Sequence, residues 1–135
     1  EGGKKAEEEI AEICTKENIA LVGTNCLGIM RPSAGLNASF AASLPLTGNI
    51  ALISQSGAMA VALMDASTSS SLGYSLMLSV GNKTVMDECD FLEIAEEDEE
   101  TDVIGLYLEN VRDGQRFANI AAFLSTGWLN QIFSL

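Results

Sequence analysis

The stretch NIALISQSGAMAVALM, residues 49–64, decides how the rest of the chain is read. Its apolar run at 50–53 reads as a buried strand. After the polar tetrad Ser54-Gln55-Ser56-Gly57, the nearly all-apolar segment 58–64 reads as a helix. A strand that runs straight into a helix through small hydroxyl residues and a glycine is the joint from which α/β domains build anion pockets. The N–H groups of a first helical turn have no acceptor within the helix, and they sit at the positive end of its dipole. Ser54 and Ser56 can add hydroxyl donors there, and Gly57 allows a ligand close to the main chain. The same residues equally suit an ordinary capped helix, since Ser is a frequent N-cap. Local chemistry leaves both readings open.

Composition narrows the choices. With 135 residues, 47% of them apolar, the chain is long enough for one ordinary domain with a buried core. Its formal charge of −12 and its seven cationic residues, which form no stripe, argue against polynucleotides and anionic membranes as partners. A free phosphate is also repelled at long range, so a phosphate site must work through local N–H groups or a partner's cations. Cys14, Cys26 and Cys89 show no metal-ligand spacing and read as reduced thiols of a cytoplasmic protein. No apolar run approaches the ~20 residues of a membrane span, and EGGKKAEEE resembles no signal peptide. Histidine is absent, which removes a Ser-His-Asp or Cys-His mechanism run within these residues. Ser54 stands where a nucleophile elbow needs glycine, and neither a Walker A nor a GxGxxG pattern occurs.

Outward from the organising stretch, residues 4–17 place Ala6, Ile10, Ile13 and Cys14 at helical spacing opposite a glutamate face, and Asn18 closes that helix. A short strand is expected at 19–22, followed by the turn Gly23-Thr24-Asn25-Cys26-Leu27-Gly28. Residues 31–48, RPSAGLNASFAASLPLTG, show no period and read as an ordered linker anchored by Phe40 and Leu44. Beyond the central helix, 74–80 is a strand ending in the turn Gly81-Asn82-Lys83, and 85–94 is a helix with Asp87 and Asp90 near its start. The acidic run 96–100 reads as a solvated connection, 103–108 as a third strand ending at Glu109-Asn110, and 113–124 as a third helix. Alternating strands and helices with short links imply right-handed crossovers and a parallel sheet, whose strands deliver their carboxyl ends to one edge. The tetrad, the 81–83 turn and Glu109 are therefore expected to meet there. Read locally, Glu109 is equally a solvated loop carboxylate.

Four ordered segments, GTNCLGIMRPSAGLNASFA, GNIALISQSGAMAVALMD, LMLSVGNKTVMDECDFLE and VIGLYLENVRDGQRF, together resemble the NDP-forming acyl-CoA synthetases, relatives of the succinyl-CoA ligase α subunit. The likeness covers roughly residues 4–117. It implies an α/β fold in which 48–135 is a truncated flavodoxin-like, succinyl-CoA ligase-like parallel sheet. Residues 1–47 would be the last helix and strand of a Rossmann-like CoA-binding domain, plus linker. Such enzymes convert acyl-CoA, ADP and phosphate into acid, ATP and CoA through a phosphohistidine. The resemblance makes Ser54, Gln55, Ser56 and Gly57 the cradle of the phosphoryl group and Glu109 the carboxylate that orients the catalytic histidine. A carboxylate on the far nitrogen supports the positive charge that imidazole develops as it attacks phosphorus. Gly23, Asn25, Cys26 and Gly28 match the family's GPNCLG turn near the thiol end of CoA, with Thr24 replacing proline and loosening that match. Cys26 also suits a plain packing role.

By the same resemblance the catalytic histidine, the first half of the CoA site, and the Mg2+ and ADP/ATP ligands of an ATP-grasp domain or β subunit lie outside these residues. No metal site is expected within them. The chain is then an internal or frame-disturbed piece of a cytoplasmic, oligomeric ligase. Residues 125–135, STGWLNQIFSL, do not resemble the family's next strand, so the third strand is expected to present an unpaired edge and the piece to be poorly stable alone. The apolar helix at 58–64 is expected to be covered on both sides. An alternative of another class is a non-catalytic ligand-sensing module, as in relatives fused to an acetyltransferase.

Overall fold

The computed structural model of the chain describes residues 2–126 and 131–134. Helix α1, Gly2–Lys16, ends as the sequence suggests. Asn18 turns left-handed at φ +53, and the Ile19 N–H returns to Cys14 O at 2.8 Å. Residues 19–22 are not a strand, contrary to expectation. Their main chain serves the loops instead, with Leu21 O accepting from Met86 N–H at 3.2 Å.

The predicted linker is also corrected. Strand β1, Gly28–Arg31, a 3-10 turn at Pro32–Ala34 and strand β2, Leu36–Ser39, form an antiparallel hairpin that joins the sheet. Four-residue strands separated by Pro32 and Gly35 are too short to show a period, which hides them from a pattern reading. Arg31 ties this hairpin to the far side of the domain through Asp98, at 2.8 Å. Asp98 is thus not part of a solvated run, because it also accepts from the Thr101 hydroxyl at 2.6 Å. Burial pushes its carboxyl upward, and the hydrogen bonds from Thr101 and Arg31 outweigh that and hold it below the usual range.

The core strands are β3, Thr47–Ser54, β4, Tyr74–Ser79, and β5, Val103–Tyr107; between and after them come α2, Gly57–Ser70, α3, Glu88–Glu96, and α4, Gly114–Thr126. Strand β6, Gln131–Ser134, pairs in parallel with β5, so the unpaired edge expected beside Glu109 is not there. The sheet runs β2-β1-β4-β3-β5-β6, parallel from β3 to β6 and antiparallel where β1 meets β4. It is mixed rather than purely parallel.

Strand alternation splits the core between two faces. Ala51, Ile53, Leu78 and Leu106 pack with Phe91, Leu92 and Ala95 of α3 and Leu124 of α4. Leu52, Met77 and Met30 pack with Ala60 and Met64 of α2. Helix α2 buries only the stripe Ala60, Met64, Ser67, so the described residues do not supply the second-side cover that its apolar segment calls for. Helix α3 begins three residues later than predicted because Asp87 caps it. Asp87 accepts from Cys89 N–H at 2.9 Å, and Asp90 accepts from Asp87 N–H at 2.8 Å. Arg116 of α4 binds Asp90 at 2.8 Å and Glu93 at 2.9 Å, locking α4 beside α3.

Leu92 is fully buried where α3 meets the sheet, so Leu92→Ala is expected to lower unfolding stability by about 3 kcal/mol. Denaturant titration reads this as a lower midpoint at unchanged slope; an unchanged midpoint would contradict the packing described.

Candidate functional site

In the sheet Ser54 lies opposite Ser79 on one side and Tyr107 on the other, so β3, β4 and β5 end level. The loops that follow them converge on one cleft of about 480 Å3, which Gln55, Ser56, Gly57, Gly81, Asn82 and Glu109 line together with Asn25 and Cys26. The tetrad, the 81–83 turn and Glu109 do share one edge.

The four tetrad residues play different parts there. Ser54 is 1% exposed, and its hydroxyl donates inward to Ser56 O at 2.7 Å, so it holds the joint together. Gln55 bridges two loops. Its N–H donates to Tyr107 O at 2.8 Å, and its Oε1 accepts from the N–H of Glu109 at 3.0 Å and of Asn110 at 3.3 Å. Ser56 is the N-cap of α2, with extended backbone and Oγ accepting from Met59 N–H at 3.2 Å, which leaves its hydroxyl proton able to donate into the cleft. The first helical bond runs from Ala60 N–H to Ser56 O at 3.1 Å, so the N–H groups of Gly57 and Ala58 precede it and belong to the cleft wall. A side chain at Gly57 would stand 3.3 Å from Leu27 Cβ, which shows why the turn at 23–28 can pack against the start of α2. Glu109 is exposed, and among the described residues its carboxylate has no partner.

The turn at 23–28 is stitched to the 81–84 loop. Asn82 N–H donates to Thr24 O at 2.8 Å, Thr84 N–H to Gly23 O at 2.7 Å, and Asn25 Nδ2 to Asn82 Oδ1 at 3.2 Å. Gly81 makes the approach possible, since at its φ of +55 a Cβ would lie 2.1 Å from Thr24 O. Ser79 Oγ accepts from Leu27 N–H at 2.9 Å. Gly28, at φ +119, then leads the chain into β1. Cys26 Sγ, half-buried, points back to Val22 O at 3.6 Å. A second hollow of about 460 Å3 adjoins the cleft and shares Cys26, Leu27 and Phe40 with it.

Residues 47–126 match the model of the succinyl-CoA ligase-like flavodoxin domain. The chain belongs to that family. It is 42% identical over 119 residues to acetate–CoA ligase (ADP-forming) I of Archaeoglobus fulgidus, covering 88% of this chain and 17% of that protein. To the α subunit of acetate–CoA ligase (ADP-forming) I of Pyrococcus furiosus it is 42% identical over 125 residues, 93% of this chain and 27% of the subunit. Among solved structures, the dinucleotide-forming acetyl-coenzyme A synthetase 1 of Ca. Korarchaeum cryptofilum, bound to phosphate and ADP, superposes with a TM-score of 0.91 at 34% identity. That superposition covers 99% of this chain and 29% of the synthetase. The chain thus spans less than a third of the length of these relatives.

The ligase-like domain also carries a buried polar knot, joined to the Glu109 turn through Asn110 O and Arg112 N–H, that the sequence reading missed. Lys83 Nζ lies 2.8 Å from Glu88 Oε2, and Arg112 N–H donates to Glu88 Oε1 at 2.6 Å. Burial would push the Glu88 carboxyl up, but the hydrogen bonds from Lys83 and from Arg112 N–H outweigh it and hold the group below its ordinary value. One signal was available: Glu88, Leu92 and Ala95 share a helical face, and a carboxylate on an apolar stripe requires a buried partner. Glu7 of α1 is a second missed residue. It accepts from the Thr24 hydroxyl and from Asn82 Nδ2 at 2.6 Å, and those two bonds lower its pKa. Among the described residues no helix is long and apolar enough to cross a membrane.

Glu88 gives the ligase-like domain a pH dependence of definite sign. A carboxyl with a lowered folded-state pKa contributes stability that is complete above its unfolded value, near 4.5, and is lost as pH falls through the folded one. Denaturation midpoints are therefore expected to fall on acidification, with a shallower slope in Glu88→Gln. The slope does not vanish, because Asp98 and Glu7 shift in the same direction.

Proposed function

We propose that this chain is the phosphoryl-holding part of an NDP-forming acyl-CoA synthetase, an acid–thiol ligase that turns acyl-CoA, ADP and phosphate into acid, ATP and CoA through a phosphohistidine. The observation that carries the reading is the Glu109 carboxylate, without a partner among the described residues, in the same cleft as the start of α2, where no described Lys or Arg lines the wall. A phosphate dianion placed alone in that cleft would meet N–H donors on one wall and a repelling carboxylate on another. An imidazole inserted between them resolves the conflict. Its one nitrogen takes the phosphoryl group toward Ser56, Gly57 and Ala58, and its other N–H donates to Glu109. Because the 135 residues contain no histidine, that imidazole is supplied by a segment or subunit outside them.

Each residue then has a definite task. Ser56 donates its hydroxyl proton, and the N–H groups of Gly57 and Ala58 face the phosphoryl oxygens at the positive end of α2, where charge is stabilised without a cation. Gln55 holds the Glu109 loop at the height of the helix start. Ser54 supports the joint from inside. The turn bearing Gly23, Asn25, Cys26 and Gly28 borders the adjoining hollow, which would take the thiol end of CoA with its acyl group, one wall away from the phosphate. Residues 1–47 belong on this reading to the CoA-binding side and 48–135 to the ligase-like domain. Mg2+ and the nucleotide are assigned to an ATP-grasp domain or β subunit, and the three free thiols suit a cytoplasmic protein. The relatives named above, all ligases or synthetases, favour this over the ligand-sensing alternative.

In the intact protein, Glu109→Gln is expected to lower ATP formation from acyl-CoA, ADP and phosphate by about a hundredfold or more, because the histidine loses its charged partner. Ser56→Ala is expected to lose about 1 kcal/mol of stability as a cap and to weaken phosphate binding as well. Turnover indifferent to Glu109→Gln would reject the assignment.

A further inference from the structure

We propose that the buried Lys83–Glu88 pair is a positioning device that sets the height of the Glu109 turn over the start of α2. It rests on the reading of Glu109 as the histidine-orienting carboxylate. Lys83 is 5% exposed and Glu88 0%, so the two charges meet inside the protein. What distinguishes them is where their remaining hydrogen bonds go. Lys83 Nζ donates to Asn110 O at 2.7 Å, and Glu88 Oε1 accepts from Arg112 N–H at 2.6 Å. The Arg112 guanidinium returns to Lys83 O at 2.8 Å and to Val85 O at 3.3 Å.

From the opposite side Gln55 holds the N–H groups of Glu109 and Asn110. The main chain of the turn is therefore fixed at both ends, while the Glu109 carboxylate itself is left free to face the cleft. Lys83 adopts φ +56, a left-handed conformation that a lysine rarely takes and that surrounding structure must enforce. The strain is consistent with a lysine held for where its ammonium reaches. A buried ion pair is a poor means of adding stability, since an apolar pair of similar volume usually does as well, whereas removal of one partner leaves an uncompensated charge. An apolar pair cannot, however, hold Asn110 O and Arg112 N–H.

That contrast provides the test, made on the intact protein. Lys83→Met and Glu88→Leu singly are expected to lower the melting temperature more than the double variant does. In the folded double variant, hydrogen exchange in peptides spanning 108–113 is expected to rise about tenfold or more, with peptides spanning 50–56 unchanged. ATP formation is expected to fall in kcat with little change in KM for phosphate. Should the double variant not fold, Glu88→Gln, which keeps the shape and one acceptor, is expected to raise exchange at 108–113 about two- to fivefold. Unchanged exchange there in a folded variant overturns the proposal whatever the activity. Faster exchange with unchanged turnover upholds the pair's hold on the turn and removes instead the catalytic reading of Glu109.

Discussion

Everything at the functional edge depends on the register of three parallel strands. Ile53 lies between Leu78 and Leu106, and one residue later Ser54 lies between Ser79 and Tyr107. A slip of one residue would carry Ile53 from the α3 face to the α2 face, exchange it with Leu52, and move a loop up or down by a full residue rise, about 3.3 Å. The register is specified by burial on both faces, because Ala51 and Ile53 face α3 and α4 while Leu52 faces α2. The hydrophobic effect thus determines how near Glu109 lies to the start of α2, although neither takes part in the core.

Given that register, hydrogen bonds do the finer alignment. Gln55 links the β3 and β5 loops, Asn82 and Thr84 link the β4 loop to the 23–28 turn, and Ser79 reaches the same turn through Leu27 N–H. The main-chain groups concerned are loop groups that the sheet ladder does not serve, and side chains or neighbouring loops serve them instead. On the proposed reading, this is how so acidic a chain would hold an anion. The net charge acts over distances that salt screens, whereas aligned N–H groups act at contact.

The central strand, the helix after it and the meeting of 54–57, 81–83 and Glu109 were legible because each leaves a local mark: a continuous apolar run, a small-residue joint, a carboxylate at a strand end. The hairpin at 28–39 left none, since its strands are four residues long, separated by a turn with Pro32 and Gly35, and exposed over most of β2. The opposite error, a strand at 19–22, shows what pattern alone lacks. An apolar run becomes a strand only where its main chain meets a partner strand, and here Leu21 O accepts from Met86 N–H of a loop instead. Within the tetrad the two serines look alike in sequence, and only the structure separates Ser54, turned inward, from Ser56, which caps the helix.

The buried Lys83–Glu88 pair belongs to the same contrast between apolar and polar means of construction. The core fixes positions to within the tolerance of packed side chains, and many apolar sequences would fill it equally well. A loop has no such packing to rely on: the turn at 109–112 lies at the surface, and Glu109 is exposed. Main-chain N–H and C=O groups are what remain to hold it, and they can be held only by side chains with matching donors and acceptors. To reach Asn110 O and Arg112 N–H from beneath, those side chains must come through the interior, and the two charges are tolerable there because each neutralises the other. A surface pair would be screened and mobile, and a lone buried polar group could satisfy one end of the turn but not both.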